Sequence, residues 1–202
     1  LIAYTIEQAL TVPAIDGVYV STDSPDIAQI AEAEGAIVLG LRPADLATDR
    51  APKIPVIEHL VESVERSGET VTTVVDLDPT SPLRSVDDID ASLALLTDDV
   101  DVVITGYVAE KNPYFNMVED KGKGNFGLVC PPASAVVARQ QAPAVYSMNG
   151  SVYVWHRHTL SKGLWGGLAR LHVMPRERSV DIDDEVDWRL VEILMSEGAL
   201  AD

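Results

Sequence analysis

Apolar positions recur along this chain with two alternating periods, one near 3.6 residues and one near 2. Ile2, Ile6, Ala9 and Leu10 fall on one face of a helix. Residues 17–23 then read as a strand that ends in Ser21, Thr22 and Asp23. Ser24 before Pro25 and Asp26 supplies a capping hydroxyl and a proline at the first helical position, so a second helix starts there. Ile27, Ile30 and Ala31 form its expected inner face, and Gly35 is its expected stop. Residues 36–41 are a second short strand. Residues 54–66 are a helix with Ile57, Leu60, Val61 and Val64 as its stripe. Residues 70–77 are dense in β-branched side chains, as a buried strand is. Residues 85–97 form another helix, in which Ser85 and Asp88 have the spacing of a capping box with Asp in place of Glu. Residues 101–108 are the next strand.

This β-α-β-α alternation predicts an α/β fold, a three-layer arrangement with a mostly parallel sheet and helices on both faces. Ligands in such folds sit beyond the carboxyl ends of the strands. Those ends are Ser21-Thr22-Asp23, Leu41-Arg42-Pro43 and Asp78-Pro79-Thr80-Ser81. The alternation breaks over residues 110–148, which carry Pro113, Pro131, Pro132 and Pro143, several glycines and little helical pattern. This segment reads as an arm inserted in a single 1–202 domain, and its Tyr114 and Phe115 need cover. Strands return at 151–155 and 172–174. Residues 185–196 are a closing helix with Val186, Leu190, Ile193 and Leu194 expected inward. There are no repeats. The chain opens directly on a helix, whereas α/β nucleotide-binding domains open on a strand whose following loop holds phosphate.

Composition changes this picture only at the margins. At 202 residues the chain is long enough to bury a core without disulfide or metal staples. Its one cysteine, Cys130, forms no internal disulfide and has no basic neighbour to activate it, which suits a cytoplasmic protein. No apolar run approaches the ~20 residues of a membrane span, and no basic leader opens the chain. The formal charge of −17 argues against nucleic acid as a partner. An anionic ligand then needs a local positive field, for which a metal ion is suited.

Three clusters carry candidate chemistry. In Leu77-Asp78-Pro79-Thr80-Ser81-Pro82-Leu83-Arg84, a strand ends in a carboxylate, two hydroxyls between prolines, and an arginine. Asp78 is placed to hold a metal, and Thr80 and Ser81 to bond a base, ribose or sugar. The same run also suits a rigid turn with local hydroxyl–backbone bonds. In residues 178–185, Asp181 and Asp183 alternate with Val180 and Ile182, so an extended backbone points both carboxylates one way. Such a pair fits Mg²⁺, which takes oxygen ligands and completes its shell with water and phosphate. Acids at a helix N-terminus fit the pattern equally. The third cluster joins Arg139-Gln140-Gln141-Ala142-Pro143 to Asn149-Gly150. Arg139 suits a bidentate carboxylate or phosphate clamp, while Asn149-Gly150 is also a common turn. The four histidines show no ligand spacing.

Taken in order, Leu1-Ile-Ala-Tyr-Thr-Ile6, Val20-Ser-Thr-Asp23, Arg42-Pro-Ala-Asp-Leu-Ala47, Pro79-Thr-Ser-Pro-Leu-Arg84, Arg139-Gln-Gln-Ala-Pro143, Asn149-Gly-Ser-Val-Tyr153 and Ser179-Val-Asp-Ile-Asp183 resemble the acylneuraminate cytidylyltransferases, the CMP-sialic acid synthetase family. They span almost the whole chain. The resemblance implies a nucleotide-diphospho-sugar transferase-like fold with a small dimerisation arm at 110–148. It implies a homodimer, with CTP and an acidic nine-carbon α-keto acid sugar as substrates and Mg²⁺ as cofactor. It makes Asp181 and Asp183 the metal pair and Arg42 a cation near cytidine and phosphate. Arg139 becomes a residue reaching the neighbouring subunit's site. Tyr153, Leu164 and Trp165 become lining of the sugar pocket. The family's glycine- and lysine-rich phosphate loop precedes the helix that starts here, and its residues are not among the 202. With it missing, Arg42, Lys53, Arg84 and Arg139 are the expected cations.

The departures are as informative. Asp78 replaces the family's usual glutamine, which implies a different sugar or a third carboxylate in the metal shell. Lys53 stands where a small polar residue is common, and Phe115 where some members carry a basic one. N-acetylneuraminic, legionaminic and pseudaminic acids all remain candidate sugars. The alternatives are a CMP-Kdo synthetase or other sugar nucleotidyltransferase, and a non-catalytic nucleotide-binding relic. A dinucleotide oxidoreductase is disfavoured, since no Gly-x-Gly-x-x-Gly follows any strand.

Overall fold

The computed structural model of the chain describes residues 1–131 and 142–196. Its centre is a sheet built from β1 (Thr73–Leu77), β2 (Val102–Val108), β5 (Tyr146–His156) and β6 (Ala169–Val173), in the order β1-β5-β2-β6. A separate hairpin pairs β3 (Val118–Asp120) with β4 (Phe126–Leu128). In the main sheet β5 is antiparallel to both its neighbours, while β2 and β6 are parallel. Strands β1, β2 and β6 therefore share one direction and β5 alone is reversed. The sheet is mixed, and the expected parallel character survives in the direction of the other three strands.

Helices cover both faces, as the alternation predicted. They are α1 (Ile2–Thr11), α2 (Pro25–Ala33), α3 (Lys53–Arg66), α4 (Val86–Leu95) and α5 (Glu185–Ser196). The period of 2 in the strands sorts two cores. Tyr153 and Trp155 of β5, with Val102 and Ile104 of β2, pack against Ile57 and Val61 of α3. Val152 and Val154, with Val103, pack instead with Ile89 of α4 and Val12 beyond α1. Trp155 is fully buried, and its indole N–H donates to the Gly163 carbonyl at 3.1 Å, so this large side chain leaves no polar atom unpaired. The ladder between β2 and β5 shifts register between Ile104 and Gly106. Any Cβ at Gly106 would lie 2.5 Å from the Ser147 carbonyl oxygen, so the close approach there requires glycine.

Several expected elements differ in extent. Residues 17–23 and 36–41 form no full strands; they meet at a single parallel bridge between Tyr19 and Ile37. They close a third core of Ile6, Ala31 and Ala36 under α1 and α2. Ser24 caps α2 and Gly35, at φ +94°, follows its end, but Ala28 and Ala31 point inward while Ile27 and Ile30 are exposed. Small residues face in because α1 approaches closely. Strand β5 starts five residues earlier than expected, at Tyr146. On α5 the expected inner face is wrong. Val191 is buried, whereas Val186, Leu190 and Ile193 are exposed. In the arm, Asn112 is buried and donates to the Pro143 carbonyl at 2.9 Å, tying the arm's two ends together. Tyr114 and Phe115 are half-buried, and the exposed apolar residues among those described in the arm include Met117, Val118, Phe126 and Val129. No helix of the described residues is long and apolar enough to cross a membrane.

Candidate active site

The reversal of β5 decides where the chemistry collects. Leu77, the last residue of β1, pairs with Val152, and Gly106 near the end of β2 pairs with Met148. Residues 148–152 thus lie at the same sheet edge as the turn after β1. Strand β6, parallel to β2, also delivers its following segment to that edge. The first cluster, Asn149-Gly150 and Ser179–Asp183 are brought together by this topology alone.

The contacts confirm it. Thr80 Oγ1 lies 2.9 Å from Asp78 Oδ1 and is also hydrogen-bonded to Asp181 Oδ1. A hydroxyl has one proton, so it serves the two carboxylates in turn. The Ile182 amide donates to the Thr80 carbonyl at 2.9 Å and locks the two segments side by side. Burial raises the Asp181 pKa, and the charges of Asp78, Asp183 and Asp187 add to it, against the hydrogen bond from Thr80. Asp183 is exposed, with its amide donating to Asp187 Oδ2 at 3.1 Å. It therefore joins Asp181 through charge, in a loop that also caps α5. Gly150, at φ +66°, faces this group; a Cβ there would lie 3.6 Å from Tyr153 Oη and 4.0 Å from Asp181 Oδ2.

Lys53, the first residue of α3, completes the front. Its Nζ lies 2.8 Å from Asp76 Oδ2, 3.8 Å from Asp78 Oδ2 and 4.3 Å from the centroid of the Tyr153 ring. Burial works against the ammonium, but Asp76 and then Asp78 outweigh it and hold its pKa above the ordinary value. Burial also raises the Tyr153 hydroxyl, with Lys53 opposing. Asp76 was not anticipated. The available signal was its spacing: two residues before Asp78, it shares that residue's face of β1. Arg42 borders the same cavity of about 250 Å³ as Lys53, Asp76 and Asp78, and its guanidinium donates to Ser21 Oγ at 3.0 Å.

Other expected site residues take supporting places. Ser81 and Asn149 are buried; Asn149 Nδ2 donates to Ser179 Oγ at 3.1 Å, and Ser81 Oγ lies 3.5 Å from the Asn149 carbonyl oxygen. They fasten the edge on which Thr80 and Asp181 stand. Arg84 is a correction to the expected cation set. It is buried, and its guanidinium donates to Thr5 Oγ1, Gln8 Oε1 and the Ser151 carbonyl at 2.7, 3.1 and 2.7 Å. It holds α1 on the sheet, and burial lowers its pKa to about 10. Leu164 packs on the core beside Tyr153. Trp165 is 71% exposed in the loop from β5 to β6. That loop joins the sheet where His156 pairs with Thr73 and Ala169 with Val102, at the edge opposite Asp78. Arg139 lies outside the described residues.

A second, closed ion cluster anchors the segment that carries Asp181. Arg178 grips Asp88 with Nε and a terminal nitrogen at 2.9 and 3.0 Å. Ser85 donates its amide and hydroxyl to the same carboxylate, each at 2.9 Å, completing the predicted capping box. His172 Nε2 lies 3.2 Å away. Burial works against the Asp88 carboxylate, but Arg178, Ser85 and His172 outweigh it and lower its pKa to about 2. The sequence showed the cap and not this long-range partnership, because Arg178 and His172 lie 90 and 84 positions from Asp88.

The sequence model of the Cytidylyltransferase family matches residues 1–169. The chain belongs to that family. It is a nucleotidyltransferase, and relatives agree along nearly its full length. It is 37% identical to the post-translational flagellin modification protein B of Campylobacter coli, over 99% of this chain and 86% of the relative. It is 38% identical to a CMP-N,N′-diacetyllegionaminic acid synthase of Campylobacter jejuni, over 97% of this chain and 84% of the relative. An N-acylneuraminate cytidylyltransferase of Escherichia coli is 31% identical over 94% of this chain and 44% of that protein. Among solved structures, a CMP:2-keto-3-deoxy-manno-octonic acid synthetase complexed with CTP shares the fold, with TM-score 0.62, 16% identity and 96% of this chain against 86% of the other. A 4-diphosphocytidyl-2C-methyl-D-erythritol synthase from Anaerococcus prevotii shares it at TM-score 0.67 and 12% identity, over 96% of this chain and 85% of that one. This cytidylyltransferase thus carries its acidic edge, Lys53 and Arg42 on the fold expected of a nucleotide-sugar transferase.

Proposed function

We propose that this cytidylyltransferase joins CTP to a sialic-acid-type nine-carbon α-keto acid sugar and releases pyrophosphate. The anomeric oxygen on C2 attacks the α-phosphorus in line, and the bond to the pyrophosphate oxygen breaks. The observation that carries the reading is the meeting of Asp78 and Asp181 on the Thr80 hydroxyl, beside Lys53 and Tyr153. Among sugars, the legionaminic type is favoured, because the C. jejuni legionaminic acid synthase is 38% identical over 84% of its own length.

The site supports Mg²⁺ as cofactor by the chemistry of its donors. Asp181 and Asp78 share the Thr80 hydroxyl, with Asp183 next to them, and burial raises the Asp181 pKa, with the charges of Asp78, Asp183 and Asp187 adding to it. Among the described residues no three such side chains form a closed cage, which suits an ion that keeps waters and substrate phosphate in its shell. When bound, the ion offsets phosphate charge. The chain's own contribution is placement. Lys53 and Arg42 line the cavity as cations, the Tyr153 ring backs Lys53, and the 178–184 segment is held in place by Asp88 and Asn149. The arm, with Met117, Val118 and Phe126 exposed, is proposed as the surface of a homodimer, with Arg139 acting across it. The reaction belongs to the cytoplasm, where CTP is made.

The experiment is pyrophosphate release from CTP with each candidate sugar in turn. Legionaminic-type acids should be the best substrates, ahead of N-acetylneuraminic and pseudaminic acids. Turnover with Kdo alone sinks the sialic-acid reading, and CTP binding with no turnover on any sugar returns the chain to a nucleotide-binding relic.

A further inference from the structure

Three carboxylates follow one another along the active edge, Asp76 linked to Asp78 through the Lys53 ammonium and Asp78 to Asp181 through the Thr80 hydroxyl. Asp76 and Asp78, on one face of β1, look toward α3; Asp181 closes on Asp78 from the other side. Asp78 is divided between two neighbourhoods. Its Oδ1 receives the Thr80 amide at 3.3 Å and the Thr80 hydroxyl at 2.9 Å, toward Asp181. Its Oδ2 looks to Lys53 at 3.8 Å. Asp76 Oδ2 is buried, and Lys53 Nζ, 2.8 Å away, is its partner. The ring of Tyr153 backs the ammonium at 4.3 Å. Lys53 is thus fixed on three sides in the acidic half that faces away from Asp181. It lines the cavity proposed for substrate.

Phosphoryl-transfer sites with two metal ions place them about 3.5–4 Å apart. Here Asp78 turns one oxygen to Thr80 and Asp181, and Lys53 stands 3.8 Å from the other. We infer that Lys53 is a built-in cation in place of a second metal ion, filling the Asp76–Asp78 half of the site and leaving the Asp78–Asp181 half for a single divalent ion. An ammonium needs no coordination shell from the substrate, so the same group can also face a phosphate or carboxylate oxygen across the cavity. This inference rests on the nucleotidyl-transfer reading.

Ion counting tests it. Mn²⁺ binding to the full chain is followed by electron paramagnetic resonance, alongside K53R, K53M and K53M/D76N. The wild type and K53R should each bind one ion. K53M should bind two, and K53M/D76N should return to one, which assigns the extra ion to Asp76. Pyrophosphate release by K53M should need about tenfold more Mg²⁺. Two ions in the wild type, or one in K53M, overturns the inference while leaving the cytidylyltransferase reading standing. No ion in any form overturns both this inference and the metal site. Absence of any CMP-sugar from the wild type, whatever its ion count, is instead the failure of the proposed function.

Discussion

Two ion clusters stand on either side of the segment from Pro175 to Asp184, made from nearly the same parts and differing in closure. Around Asp88 every donor is protein: Arg178, Ser85 and His172 surround a carboxylate that is 2% exposed. Around Asp181 the donors run short. One hydroxyl is divided between Asp78 and Asp181, and one lysine between Asp76 and Asp78. Burial works against the charged form in both clusters. In the first it is outweighed and the pKa falls to about 2; in the second it is reinforced by like charges and the pKa rises. A saturated cluster is scaffold, and an unsaturated one is a place for a ligand to complete. The closed cluster holds the open one in position.

The comparison breaks most visibly when the open side is altered. Asp181→Ala should lower pyrophosphate release by about 10³-fold, a loss of about 4 kcal/mol of transition-state stabilisation. The melting temperature should stay within a few degrees, because removing one of three crowded acids relieves repulsion. Asp183→Ala should act in the same direction and less strongly, being exposed on the capping loop. Near-normal turnover in both variants would return the pair to helix capping.

The closed side should respond in stability. Asp88→Ala leaves Arg178 and His172 facing an empty buried site and removes the side-chain half of the cap of α4; a cost of about 3 kcal/mol is expected in urea unfolding. The pH dependence has a definite sign. The folded pKa of Asp88, about 2, lies below its ordinary value of 3.8, so the unfolded chain binds more protons between them. Its stabilisation, about 2 kcal/mol, is complete above pH 5 and is lost as pH falls toward 2. An Asp88→Asn variant should lack that part of the acid transition. An identical acid profile in wild type and variant would mean that the cluster is not saturated.

Gly150→Ala probes the gap between the two sides. At φ +66° any Cβ is strained, which costs about 1 kcal/mol. The methyl group would also stand 4.0 Å from Asp181 Oδ2, in the space where a substrate approaches. A few-fold rise in KM is expected with kcat little changed. A fall in kcat alone would place the substrate elsewhere.

These clusters also show how far the sequence could be read. The helices from 25, 54, 85 and 185 were legible because caps and 3.6-residue stripes are local. The turn at Asp78–Ser81 and the Asp181 segment were legible as chemistry. Their meeting on Thr80 was not, because it depends on β1 and β6, far apart in the chain, running the same way in one sheet. Arg84 read as a free cation, since nothing near it in sequence announces Thr5, Gln8 and Ser151 as its partners. Val186, Leu190 and Ile193 read as core because periodicity marks an apolar face without saying whether the same chain covers it.

Trp165→Ala carries the smallest expected effect and tests the drawing of the site itself. Resemblance makes Trp165 a wall of the sugar pocket, yet its side chain is 71% exposed at the sheet edge opposite Asp78. Gly166 and Gly167 follow it, and a Cβ at Gly167 would lie 2.1 Å from Asp101 Oδ2. The Leu168 amide donates to that same oxygen at 2.7 Å, so the loop is pinned by its other residues and not by the indole. Removing an exposed side chain that anchors nothing should change stability by less than about 0.5 kcal/mol. The KM for sugar should change less than about twofold if the pocket is bounded by Tyr153, Lys53 and Asp181 of one chain, since every 1.4 kcal/mol is tenfold and no such contact is lost. A tenfold rise in that KM, with the melting temperature and the KM for CTP unchanged, would put Trp165 back in the sugar pocket. The indole of one chain would then have to serve the site of its neighbour, and the same measurement on mixed dimers of Trp165→Ala and Asp181→Ala chains would show recovered activity.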